Sequence, residues 1–360
     1  MVPLGGPEQD PMEDSGMRIL AWPAYANRHE NPYNALLYEA LQERGHAITE
    51  FSPQELWRGE HDIWHLHWPD GFLVRSSALA GLLALARLTL ALLLARARGI
   101  RTVWTIHNLA PHRRVSGWLL RLAHRVLGWG CDGFILLSQA SLAAAPRALA
   151  KAIRDKPHAC IVHGHYVSAY GDLLQSAEAR ARMDLPSGKI VFGFVGRLAG
   201  YKGIEELIAR FRQTARADQL LCIAGQPESG AYADRLRGLV ANDSRIFLRC
   251  GHVAPDALRA YLGSFDYLVL PFSRITNSGS AVLGMSYGVP VVVPSIPLFA
   301  EWARVLGPGS CVMFEKLEFE RWTNPLADEE RNALSARACA ILNWQKIAIA
   351  TEALYQHTQK

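Results

Sequence analysis

Apolar runs of strand length alternate with helix-length stretches along nearly all of this 360-residue chain, and no other feature limits its fold as tightly. The first half predicts strands near 18–22, 46–51, 62–67, 101–106, 133–137 and 159–163, with helices near 31–44, 77–98, 116–128 and 140–153. The second half predicts strands near 190–195, 219–224, 245–250, 266–271 and 290–294, with helices at 203–215, 229–241, 255–263, 279–287 and 298–305. Alternation of this kind builds doubly wound α/β domains on parallel sheets. The length suits two of them, 17–172 and 189–342, joined by a polar linker at 173–188. Residues 1–16 carry Glu8, Asp10, Glu13 and Asp14 and read as a flexible tail; 343–360 reads as a last helix crossing back to the first domain.

Open α/β sheets bind ligands where strands hand over to helices. One such handover is Gly196-Arg197-Leu198-Ala199-Gly200-Tyr201-Lys202-Gly203, directly after the buried run at 190–195. Its glycines let the backbone approach a ligand closely, and Arg197 and Lys202 can both point into a cleft. Another is Asn277-Ser278-Gly279-Ser280, which opens a helix that stops at Gly288-Val289-Pro290. A helix start offers N–H groups and a favourable dipole to an anion. Serine is also a preferred cap, and one helix start can serve both ends. Two cations and a helix N-terminus together suit a diphosphate held without metal.

A third handover is His65-Leu66-His67-Trp68-Pro69-Asp70. Alternation puts His65 and His67 on one face. Asp70 falls on the turn beyond Pro69, where a carboxylate either accepts a proton from an incoming hydroxyl or caps the next turn. His107 and Asn108 end the following strand on the same rim, and His163, His165 and Tyr166 close the first domain as rim contacts or hinge packing. No third ligand of suitable spacing joins His65 and His67 in a metal site. The chain has no Asp-x-Asp and no G-x-G-x-x-G after its first strand, which argues against a metal-held diphosphate and a dinucleotide-dependent oxidoreductase.

Six cysteines scattered singly fit neither a disulfide framework nor a zinc site. The net charge of +5 hides a local bias: from Gly71 to Cys131 there are nine arginines and no Asp or Glu. The same stretch holds a Leu/Ala-rich helix at 79–94, interrupted only by Arg87. A central arginine argues against a transmembrane span. The helix is buried on most of its girth or lies in a membrane interface. The acid-free stretch favours an anionic membrane surface as partner. Nucleic acid is not expected, because no binding module interleaves with the arginines.

The two-domain pattern, with R-x4-K and a strand–small-residue–helix–GxP segment, resembles the GT-B glycosyltransferases over 17–358, whose architecture is two Rossmann-like domains facing a cleft. More narrowly it is similar to the xanthan-pathway β-mannosyltransferase family. That likeness rests on Asn31-Pro32-Tyr33, His65-Leu66-His67-Trp68-Pro69, the stretch Thr105 to His112, His163-Gly164-His165-Tyr166, Tyr201-Lys202-Gly203 and Asn277-Ser278-Gly279. The broader class carries two glutamates around its phosphate helix that hold donor sugar and ribose. Here those places are Ile275 and Leu283, and the xanthan-type enzymes lack the pair too.

The resemblance implies an inverting transfer of mannose from GDP-mannose to a polyprenyl-diphosphate-linked oligosaccharide in bacterial exopolysaccharide synthesis, at the inner face of the cytoplasmic membrane. No metal or other cofactor is implied. Position 70 is acidic in the family, which makes Asp70 the catalytic base. His67, His107 and Asn108 would orient the acceptor. Arg197, Lys202, Asn277, Ser278, Gly279 and Ser280 would hold the donor diphosphate, with the base read near Val253, and Asn31, His163, His165 and Tyr166 would complete the rim. Two alternatives stand beside this: a GT-B enzyme with another nucleotide sugar or retaining stereochemistry, and a non-catalytic glycan- or nucleotide-binding relative.

Overall fold

A computed structural model describes residues 16–69, 71, 74–75, 77–109, 115–272, 275 and 277–359. The first half runs β1 (Arg18–Trp22), α1 (Tyr33–Gln42), β2 (Ala47–Glu50), α2 (Pro53–Arg58), β3 (Ile63–His67), α3 (Ala78–Ala97), β4 (Arg101–Ile106), α4 (Gly117–Gly130), β5 (Gly133–Leu136), α5 (Gln139–Ala144), α6 (Arg147–Arg154) and β6 (His158–Cys160). Its strands form one parallel sheet in the order β2-β1-β3-β4-β5-β6. After α7 (Val167–Tyr170) and α8 (Ser176–Arg182), the second half runs β7 (Ile190–Val195), α9 (Ile204–Thr214), β8 (Gln219–Gly225), α10 (Gly230–Val240), β9 (Ile246–Cys250), α11 (Pro255–Ser264), β10 (Tyr267–Val269), α12 (Gly279–Ser286), β11 (Val291–Pro294), α13 (Pro297–Leu306), β12 (Cys311–Phe314), α14 (Asp328–Ile341) and α15 (Trp344–Gln359). Its sheet is also parallel, in the order β12-β11-β10-β7-β8-β9. This is the GT-B arrangement of two doubly wound α/β domains.

Local chemistry accounts for most boundaries. Every residue of β3 and β8 is buried, as strands covered by helices on both faces must be. Ser52 caps α2 by accepting from the Glu55 N–H at 3.1 Å, and proline at the first turn opens α11 and α13, where a missing N–H does no harm. The helix expected over 140–153 is two, because Pro146 cannot supply the amide that a continuous helix needs there. Residues 173–188, read from sequence as a linker, contain α8. It packs against α11, and the Arg180 guanidinium meets the Asp266 carboxylate at 2.6 Å. The strand β12 and the helices α2 and α14 are elements that the sequence pattern did not reveal.

The last helix, α15, packs on α1 and the first sheet. Its Tyr355 hydroxyl lies 2.7 Å from His65 Nδ1, and its Glu352 pairs with Arg44. The crossing depends on Gly164, where a Cβ would stand 2.3 Å from the Trp344 ring. The Trp344 indole N–H donates to the His165 carbonyl at 2.7 Å, and the His165 N–H donates to the Leu342 carbonyl.

Candidate active site

A cleft of about 970 Å³ lies between the two sheets, at the carboxyl ends of their strands. On the C-terminal side, β7 is hydrogen-bonded to β8 on one edge and to β10 on the other. The chain reverses its winding there, so the ends of β7 and β10 form a switch-point crevice. Arg197 enters from β7; Gly279 and Ser280 enter from the start of α12 after β10; all three line the same cleft. Two motifs far apart in sequence thus meet because their strands are neighbours. Val253 lines the wall as well.

Backbone geometry brings the β7 turn to this place. Gly225 has φ +151°, and a Cβ on it would lie 1.6 Å from the Gly196 carbonyl oxygen. Any other residue would push the loop after β8 off the loop after β7. Arg197 is exposed on the cleft wall. Lys202 is not on that wall, contrary to the expectation that both cations line it. Residues Gly200–Lys202 form a 3-10 turn, and the Lys202 ammonium sits 4.2 Å from the centre of the Phe272 ring, beside the end of β10. Burial lowers its pKa to about 8, so it is mostly charged at neutral pH.

The α12 start is capped, not open. Ser278 is 5% exposed, and its hydroxyl accepts from the Ala281 N–H at 3.2 Å. Gly279 and Ser280 are left facing the cleft, and the Asn277 side-chain carbonyl is buried with no partner among the described residues. The positions of the absent glutamates are apolar: Leu283 lines the cleft and Ile275 packs on the core.

From the first domain, Asn31 and Tyr166 reach the cleft. The Asn31 side-chain carbonyl accepts from the Tyr33 N–H at 3.1 Å, which fixes the entry to α1. Tyr166 spans the domains: its backbone N–H donates to Ser286 Oγ, and its hydroxyl faces His163 Nε2 at 3.2 Å. His163 Nδ1–H donates to the Gly164 carbonyl, leaving Nε2 as the acceptor of the Tyr166 proton. His163 itself is buried against Tyr33. His165 acts through the backbone bonds that hold Trp344 and Leu342.

His67 and His107 do not reach the acceptor side of the cleft as expected. His67 is 2% exposed, with Tyr38 OH at 2.8 Å from one ring nitrogen and His107 Nε2 at 2.9 Å from the other. His107 is buried and stacks on Trp68, ring centres 4.0 Å apart. The strand face that carries these rings is covered by α1 and α15, so alternation directs them into the core. Asn108 is half-buried just past β4. Asp70 lies outside the described residues.

Burial lowers the pKa of His65 to about 3 and of His163 to about 4, and holds His67 and His107 well below the ordinary value. These rings stay neutral in the fold while the unfolded chain protonates near pH 6.5. The unfolded state therefore binds more protons between about pH 6.5 and 4, and stability falls as pH falls through that window, by about 1.4 kcal/mol per pH unit for each such histidine. Melting curves from pH 7 to 5 should show a steep loss of midpoint, reduced in His65→Gln. A flat midpoint would contradict burial of this cluster.

His252, beside Val253 in the segment expected to read the base, lines the cleft too, whereas Arg28, His29, Glu30 and Gln226 also line it and were missed in sequence. Their signal was available: polar residues past the carboxyl ends of β1 and β8.

Residues 189–315 match the family described as "Glycosyl transferases group 1". The chain is 29% identical over 291 residues to GDP-mannose:glycolipid 4-beta-D-mannosyltransferase of Xanthomonas campestris pv. campestris, covering 80% of this chain and 77% of that one. Among solved structures, sucrose-phosphate synthase of Thermosynechococcus elongatus superposes with TM-score 0.64 at 18% identity, covering 94% of this chain and 98% of that one. The catalytic domain of starch synthase IV of Arabidopsis thaliana, bound to ADP and acarbose, gives 0.65 at 11% identity, covering 96% and 100%. The fold is thus that of the GT-B glycosyltransferases, and residues 189–315 resemble the group 1 glycosyl transferases. Over most of its length the chain is similar to the GDP-mannose:glycolipid 4-β-mannosyltransferases.

Proposed function

We propose that this enzyme is an inverting mannosyltransferase that moves mannose from GDP-mannose to a polyprenyl-diphosphate-linked oligosaccharide for bacterial exopolysaccharide. The observation that carries the reading is the meeting of Arg197, Gly279 and Ser280 on one cleft wall at the switch point of the second sheet. A nucleoside diphosphate there would meet a guanidinium, a helix N-terminus and, behind it, the Lys202 ammonium, which rests on the Phe272 and Tyr201 rings and has no carboxylate partner among the described residues. A half-buried cation without a carboxylate is stabilised by an incoming anion.

In the transfer, the acceptor hydroxyl oxygen attacks the anomeric carbon from the face away from the diphosphate. The Asp70 carboxylate takes the hydroxyl proton, and the bond from the anomeric carbon to the phosphate oxygen breaks, its electron pair leaving with GDP. Arg197, Lys202 and the α12 start stabilise the charge that develops on the leaving group, the work a divalent ion does in metal-dependent enzymes. Asn108, half-buried just past β4, is the residue we assign to orienting the acceptor, and the buried His67 and His107 act indirectly, by holding Trp68. A lipid-linked acceptor places the reaction at the inner face of the cytoplasmic membrane.

Donor identity is tested by thermal shift. A ligand that binds only the folded state at about 100 times its Kd adds about 2.7 kcal/mol, so GDP and GDP-mannose should raise the midpoint well above UDP- or ADP-sugars at equal concentration. An equal or larger shift with a UDP- or ADP-sugar would overturn the donor assignment.

A further inference from the structure

The first domain carries an exposed apolar face that its own core does not use. On α3, Leu79, Leu82, Leu83, Leu90 and Leu93 are exposed, Leu90 by 68%, while Leu85, Leu88 and Leu92 on the other side are buried. Exposed residues at 79, 83, 86, 90, 93 and 97 recur at helical spacing, so they form one stripe along a helix of about 30 Å. On the neighbouring α4, Trp118, Leu122, Arg125 and Trp129 are exposed at the same spacing and form a second stripe with tryptophan at each end. Exposed leucines in such number mark a surface that meets something.

The helix α3 is long and apolar enough to cross a bilayer, yet the topology forbids it. It is the crossover between β3 and β4, which pair side by side over five residues from Ile63↔Arg101 to His67↔Thr105. A span would separate the ends of those strands by the bilayer thickness. The helix can only lie along a membrane, with one stripe in the sheet domain and the other outward.

Charge decides the partner. Arg87, Arg121 and Arg125 are exposed on or beside the stripes, and no acid occurs from 71 to 131. A groove of about 420 Å³ between α4 and α6 adds Arg96 to Arg125 next to Trp129; of its lysines, Lys151 pairs with Asp155 and Lys156 donates to the carbonyls of Gly128, Trp129 and Cys131. A second copy of this chain would set arginines against arginines. A nucleic acid would pair with the arginines and leave the leucines in water. A bilayer with anionic headgroups satisfies both, and interfacial tryptophans suit its boundary.

We propose that the α3–α4 face docks on an anionic phospholipid bilayer, with Leu83, Leu90, Trp118 and Trp129 in the headgroup–acyl boundary and the α4–α6 groove taking lipid phosphates. Both helices begin at the carboxyl edge of their sheet, the edge that faces the cleft. Docking this way brings the cleft mouth to the membrane from which a lipid-linked acceptor would emerge. The inference deepens the proposed function by naming the surface, and its binding test does not depend on the donor.

The test is sedimentation of the full chain with vesicles of phosphatidylcholine alone or with about a third phosphatidylglycerol, alongside the GDP thermal shift on the same samples. The wild-type chain should bind the anionic vesicles at least about tenfold more tightly than the neutral ones. Leu83→Glu/Leu90→Glu should lose at least about tenfold of that binding while keeping the GDP shift, which shows the fold intact. Arg96→Gln/Arg125→Gln, which leaves the leucines in place, should lose the anionic preference alone. Equal binding to both vesicle types, or undiminished binding by the leucine variant, would overturn the proposal. So would a wild-type dimer that Leu83→Glu/Leu90→Glu converts to monomer without changing vesicle binding. Loss of the GDP shift in the wild-type chain would strike the donor reading and leave this one standing.

Discussion

Asp70→Asn is expected to lower turnover by on the order of 10²–10⁴ while leaving the affinity for GDP nearly unchanged. Asparagine keeps the size of the side chain but removes its negative charge and its ability to take a proton. The strand that delivers position 70 ends at His67, and Trp68 follows in the left-handed region at φ 48°, an uncommon conformation for a bulky residue. Trp68 is held there by stacking on His107, itself bonded to His67 and thence to Tyr38. Backbone strain of the kind seen at Trp68 collects at functional sites. Single-turnover rates with saturating donor, beside GDP binding by calorimetry, separate the two effects. Turnover like the wild type would remove Asp70 from the role of base.

Gly225→Ala is expected to cost about 3 kcal/mol or more and to abolish donor binding even where the chain still folds. A methyl group at that position would meet the Gly196 carbonyl oxygen at 1.6 Å, and φ of +151° is itself strained for alanine. The contact is backbone to backbone, so no side-chain rotation relieves it. One of the two loops must move, and Arg197 moves with Gly196. Gly238→Ala, where a Cβ would meet nothing within 4 Å, is the control and should leave both properties close to wild type. Denaturant unfolding and GDP titration of the two variants check this. A Gly225→Ala protein of wild-type stability and affinity would contradict the packing of the two loops.

The fold was legible because buried parallel strands are continuous apolar runs. The stretches Ile190–Val195 and Gln219–Gly225 announce themselves as strands, and the turn after the first as a ligand site. The strand β12, Cys311–Phe314, did not, since it sits at a sheet edge and is only partly buried. The meeting of Arg197 with Gly279 and Ser280 on one cleft wall was legible for a topological reason: residues at the ends of adjacent central strands must meet. What the sequence could not say is which atoms are already engaged. The Ser278 hydroxyl caps its own helix, the Lys202 ammonium rests on Phe272, and His67 is used up between Tyr38 and His107. In each case the residue type is right for chemistry and the third dimension assigns it a neighbour. The histidines show this best, because period-2 spacing places His65 and His67 on one face but cannot tell that α1 and α15 cover it.

The central claim is that protein cations, without a divalent ion, hold the diphosphate of the leaving nucleotide. Calorimetric titration of GDP and of guanosine into the wild-type chain, Arg197→Ala and Lys202→Ala, all in chelator, tests it most directly. Loss of a charged hydrogen bond of about 1.5–3 kcal/mol corresponds to roughly 10–100-fold weaker GDP binding in each variant, with guanosine binding little changed. GDP binding that requires a divalent ion, or equal losses for GDP and guanosine, would contradict the account.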